Sequence, residues 1–234
     1  MLKNPILPGF NPDPCICKAG DDYYMAVSSF EWMPGIPVYH SKDLKNWELY
    51  THVLTDDETV DLKKLPSAKG IWAPCLTYCE KEELFYVVYG VMNSMNARYF
   101  DVDNYVITAK DIKGPWSEPV YLHSSGFDAS MLHDDDGRKW IVSLDWETRA
   151  GYEKPGAICL VEYSPEKKEI IGFQNVSGMV VQIVDVLKHL IYINETVITI
   201  LCVRKVELVM DTVLLWAVPK MYGAHTKKIL KIQS

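Results

Sequence analysis

Three positions of this chain fall in the same register of a repeated pattern: Asp13, Ala73 and Asp128, followed by Pro14, Pro74 and Ala129. Two of the three are carboxylates. Acids delivered by separate units can divide a hydrolysis between them, one drawing a proton from water while the other gives one to a leaving oxygen, provided their surroundings push their pKa values apart. Taken singly, each reads first as structure: Asp13 as a turn former in Asn-Pro-Asp-Pro, Asp128 as a cap where a strand begins. Their shared register tips the balance, because a turn role does not require the same phase in two separate units.

The elements that must position these residues are legible in the repeat itself. NPDPCICKAGDDYYMAVSSF from Asn11, IWAPCLTYCEKEELFYVVYG from Ile71 and GFDASMLHDDDGRKWIVSLD from Gly126 each hold a short opening loop, an apolar strand, an acidic or Gly-bearing turn and a second strand rich in aromatic and β-branched residues. HSKDLKNWE from His40 and TAKDIKGPWSEP from Thr108 extend the echo with a Lys-Asp-aliphatic-Lys core and then Trp47 or Trp116, and AICLVEYSPEKKEIIG from Ala157 closes the third unit. Turn formers stand at Asp21-Asp22, Asp136-Gly137 and Ser164-Pro165. A period of this length made of short antiparallel strands predicts the blades of an all-β propeller. The start of each innermost strand then faces a common funnel, where Asp13 and Asp128 are expected to meet.

Composition removes several alternatives. With 48% hydrophobic and 24% charged residues in 234, the chain can bury a core. Its net charge of -7 argues against a nucleic-acid partner, since phosphate neutralisation needs clustered Lys and Arg. No apolar run is long enough to cross a bilayer; the nearest, residues 197–218, is broken by Arg204, Lys205, Glu207 and Asp211. MLKNPILPGF lacks the apolar stretch of a secretory signal, so a cytoplasmic location is expected. The six cysteines (Cys15, Cys17, Cys75, Cys79, Cys159, Cys202) have no His in ligand register and read as thiols rather than a metal site. Asp134-Asp135-Asp136 precedes Gly137 and reads as a solvated hairpin turn rather than a calcium loop. Neither metal nor cofactor is expected.

Over residues 1–172 the segments NPILPGFNPDPCIC, DDYYMAVSSFEWMPGIPVYHSKDLKNWEL, GIWAPCL, GPWSEPVYL and GFDASMLHDDDGRKW together resemble, in order and spacing, the signatures of glycoside hydrolase family 43, the β-xylosidases and α-L-arabinofuranosidases. The resemblance implies a five-bladed β-propeller, here incomplete, with about three recognisable blades. It implies inverting hydrolysis at the non-reducing end of xylo-oligosaccharides, Asp13 as general base, and Asp128 as the carboxylate that tunes the acid's pKa and holds the sugar. Ala129 stands where the family usually has Pro. Phe30, Trp72 and Trp146 are expected to wall the sugar, whose apolar CH faces suit flat π surfaces; Trp32, Trp47, Trp116 and Trp140 are assigned to core or rim packing. Full-length relatives are expected to be able to oligomerise. A non-catalytic carbohydrate-binding or scaffold propeller is the competing reading, although a pure scaffold has no need of equivalent inward acids. An endo-arabinanase fits less well, because FEWMPGIPVYHS resembles the exo-acting group.

Beyond residue 172 the texture changes. Residues 173–234 hold two of the thirteen glycines and one of the thirteen prolines, but eleven valines. The family's general acid is a Glu in an E-G/A-P-H segment that this tail lacks; Glu195 and Glu207 stand in other contexts. Read one codon phase away, a permitted back-translation of residues 180–234 can contain E-A-P-H within a blade-like string. Three of its positions carry no codon freedom: Met210-Asp211 and Trp216-Ala217 each force Gly, and Met221-Tyr222 forces Val. The expectation is a domain over 1–172 and a tail translated out of frame over 173–234, with activity lowered accordingly.

Overall fold

The computed structural model describes residues 4–56, 58–97, 99–146, 148 and 159–171, and the backbone alone of 156–158, 187–195, 198–205, 213–218 and 229–230. Among the described residues there are strands and no helix. Two compact units divide the chain, Met1–Ser124 and Ser125–Ser234.

In the first unit, β1 (Cys15–Ala19), β2 (Asp22–Ala26), β3 (Gly35–Ser41) and β4 (Glu48–Leu54) form one antiparallel sheet in sequence order. A second sheet of the same order holds β5 (Gly70–Cys79), β6 (Leu84–Asn96), β7 (Tyr99–Ala109) and β8 (Val120–His123). This up-and-down sheet of four is the blade that the repeat predicts. The β1–β2 reversal falls at Gly20-Asp21, one residue before the expected pair, because Asp22 already pairs with Ala19. The Lys-Asp echo also has a structural counterpart. Asp43 Oδ1 accepts the Lys45 and Asn46 N–H groups at 2.8 Å each, and Asp111 Oδ1 accepts the Lys113 N–H at 2.8 Å, so both acids brace the same kind of turn.

The core of this unit lies between its two sheets. Ile36, Val38 and Leu54 from the first meet Ile71, Leu76, Val87 and Ile107 from the second, and β5 packs beside β1. Eight successive residues of β6, from Phe85 to Met92, are buried, which is why that strand reads as a continuous apolar run rather than an alternation. Each such aliphatic side chain contributes on the order of 1.5–3 kcal/mol on burial.

The second unit holds β9 (Phe127–His133), β10 (Lys139–Trp146), β11 (Gly156–Ser164) and β12 (Glu169–Ile171), again joined in sequence order. The Asp134-Asp135-Asp136 run is the β9–β10 turn, where Asp136 pairs with Arg138 at 2.7 Å. Past residue 172 the backbone adds a fourth sheet of the same order, β13 (Leu187–Glu195), β14 (Ile198–Lys205), β15 (Val213–Val218) and β16 (Ile229–Leu230), with β13 beside β9. The sequence sets these residues apart from the blades; their backbone nevertheless makes a blade-like sheet, in keeping with the strand preference of a Val- and Ile-rich segment. The break expected near codon 173 and Glu207 lie outside the described residues.

Candidate active site

The three positions singled out by the repeat share one backbone geometry. In β5, Trp72 pairs with Gly90 and Cys75 with Val88, so Ala73 and Pro74 lie against Tyr89 alone. In β9, Phe127 pairs with Leu144 and Ser130 with Val142, leaving Asp128 and Ala129 against Ser143 alone. Before β1, Pro12 accepts the Ser28 N–H and Cys15 pairs with Ala26, which sets Asp13 and Pro14 against Val27. Each is a two-against-one β-bulge. The first bulged residue is left-handed in all three, with φ of 52° at Asp13, 40° at Ala73 and 52° at Asp128. Such a bulge kinks the strand and re-aims the side chain of its first residue. Asp is among the few residues that occupy this region readily, whereas an alanine there costs roughly 1 kcal/mol.

In the first unit the half-buried Asp13 is tied to its neighbours through Ser28. The Ser28 hydroxyl donates to Asp13 Oδ2 at 2.7 Å, and its oxygen accepts the Ala73 N–H at 2.7 Å. One serine thus fixes the direction of the carboxylate and satisfies a backbone donor of the next sheet. Nearby, Phe30 and Ile71 exchange N–H···O bonds of 3.0 and 2.9 Å, a bridge that joins the two sheets. Gly70, at φ +93°, permits it: a Cβ there would lie 2.4 Å from the Phe30 carbonyl oxygen.

That bridge sets Phe30 and Trp72 edge to face, with ring centroids 6.2 Å apart. The Trp72 indole N–H donates to the Ala68 carbonyl at 3.2 Å, which fixes the ring's rotation. Phe10 stacks on Phe30 at 5.9 Å and meets Trp32 at 6.1 Å, while Phe100 meets Trp72 at 6.1 Å. Phe10 is 67% exposed and Trp32 60% exposed, so this is an open aromatic wall rather than core. Phe10 and Phe100 were not legible as wall residues; the one available signal is that Phe10 stands three residues before Asp13. Trp32 is a rim residue. Trp116 packs against the core, Trp47 is half-buried with its indole N–H on the Leu44 carbonyl, and Trp140 lies under Arg138.

The second unit places Asp128 half-buried at its own bulge, one residue after Phe127, whose ring meets Trp146 edge to face at 5.7 Å. Gly126, at φ +81°, has no space for a Cβ, which would fall 2.7 Å from the Leu144 carbonyl oxygen. In both units an acid at a left-handed bulge thus accompanies an aromatic pair.

The family model for Glycosyl hydrolases family 43 matches residues 2–179. Over 172 residues the chain is 46% identical to the xylosidase/arabinosidase 43B of Humicola insolens, covering 74% of this chain and 32% of that protein. It is 46% identical over 171 residues to a β-xylosidase of Bacillus subtilis, covering 73% and 32% respectively. The crystal structure of a xylan β-1,4-xylosidase from Bacillus halodurans matches 95% of this chain and 42% of its own with a TM-score of 0.84 and 37% identity. The chain therefore spans about a third of the length of these curated relatives, 32% in both cases. Its four-stranded sheets are those of the five-bladed β-propeller class, present as an incomplete set.

Proposed function

The chain belongs to glycosyl hydrolases family 43, and from that premise we propose that it serves hydrolysis of the β-xylosidase and α-L-arabinofuranosidase type, removing xylose or arabinose from the non-reducing end of xylo-oligosaccharides with inversion. The observation that carries this reading is the oriented carboxylate of Asp13, set by a left-handed bulge and by Ser28 in the unit that holds the Phe30–Trp72 wall.

In this reading Asp13 takes a proton from a water as that water's oxygen bonds to the anomeric carbon, and the bond to the leaving oxygen breaks on the opposite face. A carboxylic acid protonates the leaving oxygen; inversion requires base and acid roughly 6.5 to 9.5 Å apart. Asp128 is assigned to tuning that acid and holding the sugar, and Phe30, Trp72 and Trp146 to stacking on it. Residues 173–234 contain no E-G/A-P-H segment, so the chain alone is assigned no general acid. Loss of such assistance lowers rates by about 10² to 10⁴.

Nitrophenol departs with little protonation, whereas a sugar alkoxide does not. The chain is therefore expected to retain slow turnover of nitrophenyl β-xyloside or α-L-arabinofuranoside, to fail on xylobiose, and to lose the residual turnover in Asp13→Asn. Proton NMR should show α-xylose as the first product from a β-xyloside. Xylobiose hydrolysis at the rate of a full-length relative would refute the missing acid; β-xylose appearing first would refute inversion.

The same absence of E-G/A-P-H favours a second reading, a carbohydrate-binding module without turnover. Xylo-oligosaccharide binding that survives Asp13→Asn and Asp128→Asn, with no hydrolysis of either nitrophenyl glycoside, would select it.

A further inference from the structure

The bulges that align Asp13 with Ala73 also align the strands leading out of them: two residues on, β1 carries Cys15 and β5 carries Cys75. The repeat therefore puts a thiol at the same height of β1 and β5, and those two strands pack side by side without belonging to one sheet. The thiols meet. Cys75 hydrogen-bonds to Cys15, and Cys15 Sγ also reaches the Leu76 carbonyl at 3.6 Å. Both cysteines are in the thiol form, and both residues are half-buried rather than enclosed in the core.

We propose that Cys15 and Cys75 are an oxidative cross-link site, at which a small-molecule disulfide closes a bond between the first strands of the two sheets and clamps the bulges that carry Asp13 and Ala73. The Cys15 thiolate attacks one sulfur of the reagent RSSR, forming a mixed disulfide and expelling RS⁻. The deprotonated Cys75 then displaces the second RS⁻ from Cys15. The two cysteines lose two electrons and two protons, and the reagent leaves as two RSH.

Among the described residues, selectivity arises from the surroundings of the other thiols. The hydrogen bond from Cys75 holds the Cys15 thiol below its ordinary range, against the opposing effect of burial, and so favours the attacking thiolate. Cys17, on the same strand, is pushed up to about 12 by burial in the core. Burial likewise raises the thiol of Cys159, in the other unit, while Cys79 is closed off within the interior. A buried thiol of raised pKa is a poor nucleophile. The cross-link does not depend on any glycosidase activity.

The test treats the native chain with oxidised glutathione, blocks remaining thiols, digests without reduction and identifies linked peptides by tandem mass spectrometry. Because Cys17 and Cys79 share tryptic peptides with Cys15 and Cys75, a Cys17→Ala/Cys79→Ala variant is run beside the native sequence. A dominant Cys15–Cys75 link, lighter by two hydrogens, is expected in both. It should disappear in Cys15→Ser and in Cys75→Ser, and give way to a mixture of links when oxidation is done in guanidinium. The cross-linked chain should melt higher by roughly 5 to 10 °C, since the bond closes a long loop. No such link in the native chain, or the same mixture of links with and without guanidinium, would overturn the proposal.

Discussion

The hydroxyl of Ser28 donates to Asp13 at 2.7 Å while accepting the N–H of Ala73 at the same distance. The two residues it joins occupy one repeat position in adjoining sheets, so a single oxygen couples the backbone of the second sheet to the carboxylate of the first. No aliphatic side chain can do both.

Replacing Ser28 by alanine removes the acceptor of the Ala73 N–H and one donor to Asp13. Withdrawing such a partner from partly buried groups costs about 1–3 kcal/mol. The urea midpoint of Ser28→Ala should fall accordingly, and a change under about 0.5 kcal/mol would show that the tie is not needed.

Gly70 and Gly20 both have left-handed backbones, at φ +93° and +60°, but only Gly70 lacks room for a methyl group. Gly20→Ala should cost about 1 kcal/mol from backbone strain alone. Gly70→Ala adds a collision with the Phe30 backbone, so it should cost more than about 2 kcal/mol and weaken the Phe30–Ile71 bridge. Equal losses in thermal denaturation would refute this reading of the bridge.

The repeat, the blades and the common register of Asp13, Ala73 and Asp128 were legible because strand patterning and turn chemistry are local. The left-handed bulges were not, since Asn-Pro-Asp-Pro, Trp-Ala-Pro and Phe-Asp-Ala carry no common side chain at the kink; only the register with the partner strand reveals it. Phe10 is hidden for a similar reason, as it reaches the wall through the Phe30 ring rather than through its own strand. The sheet beyond residue 172 is hidden for another. Its strands lack the Gly and Pro punctuation by which the earlier turns are read, although Val and Ile suit a pleated backbone wherever the chain can pair.

Acid should loosen the first sheet. The Asn46 and Lys45 N–H groups hold the Asp43 carboxyl well below the usual carboxylate range, and Lys42 and His40 lower that of Asp22. The unfolded chain therefore takes up these protons first as pH falls. The stabilisation is complete above about pH 4, the ordinary aspartate value, and is lost as pH drops through the depressed folded values. Denaturation midpoints between about pH 5 and about pH 2 should decline less steeply in Asp43→Asn than in the native chain; parallel profiles would count against it.

The Trp72 ring is held by its indole N–H on the Ala68 carbonyl, and Phe30 and Phe100 each meet it in an edge-to-face pair. Under the proposed function, Trp72→Ala should weaken xylo-oligosaccharide binding by roughly 2- to 10-fold, the worth of one stacked face. Calorimetric titration is the measurement, and unchanged affinity would remove Trp72 from the sugar wall.

The recurrence of one bend beneath Asp13, Ala73 and Asp128 separates where a group is presented from what is presented. The second sheet already has the socket and holds only a methyl group in it. An acid installed at Ala73 would inherit a ready-made mounting, with a backbone posture that aspartate tolerates better than alanine does. A scaffold of this kind can gain, lose or relocate a reactive group by exchanging one side chain, with no loop to rebuild.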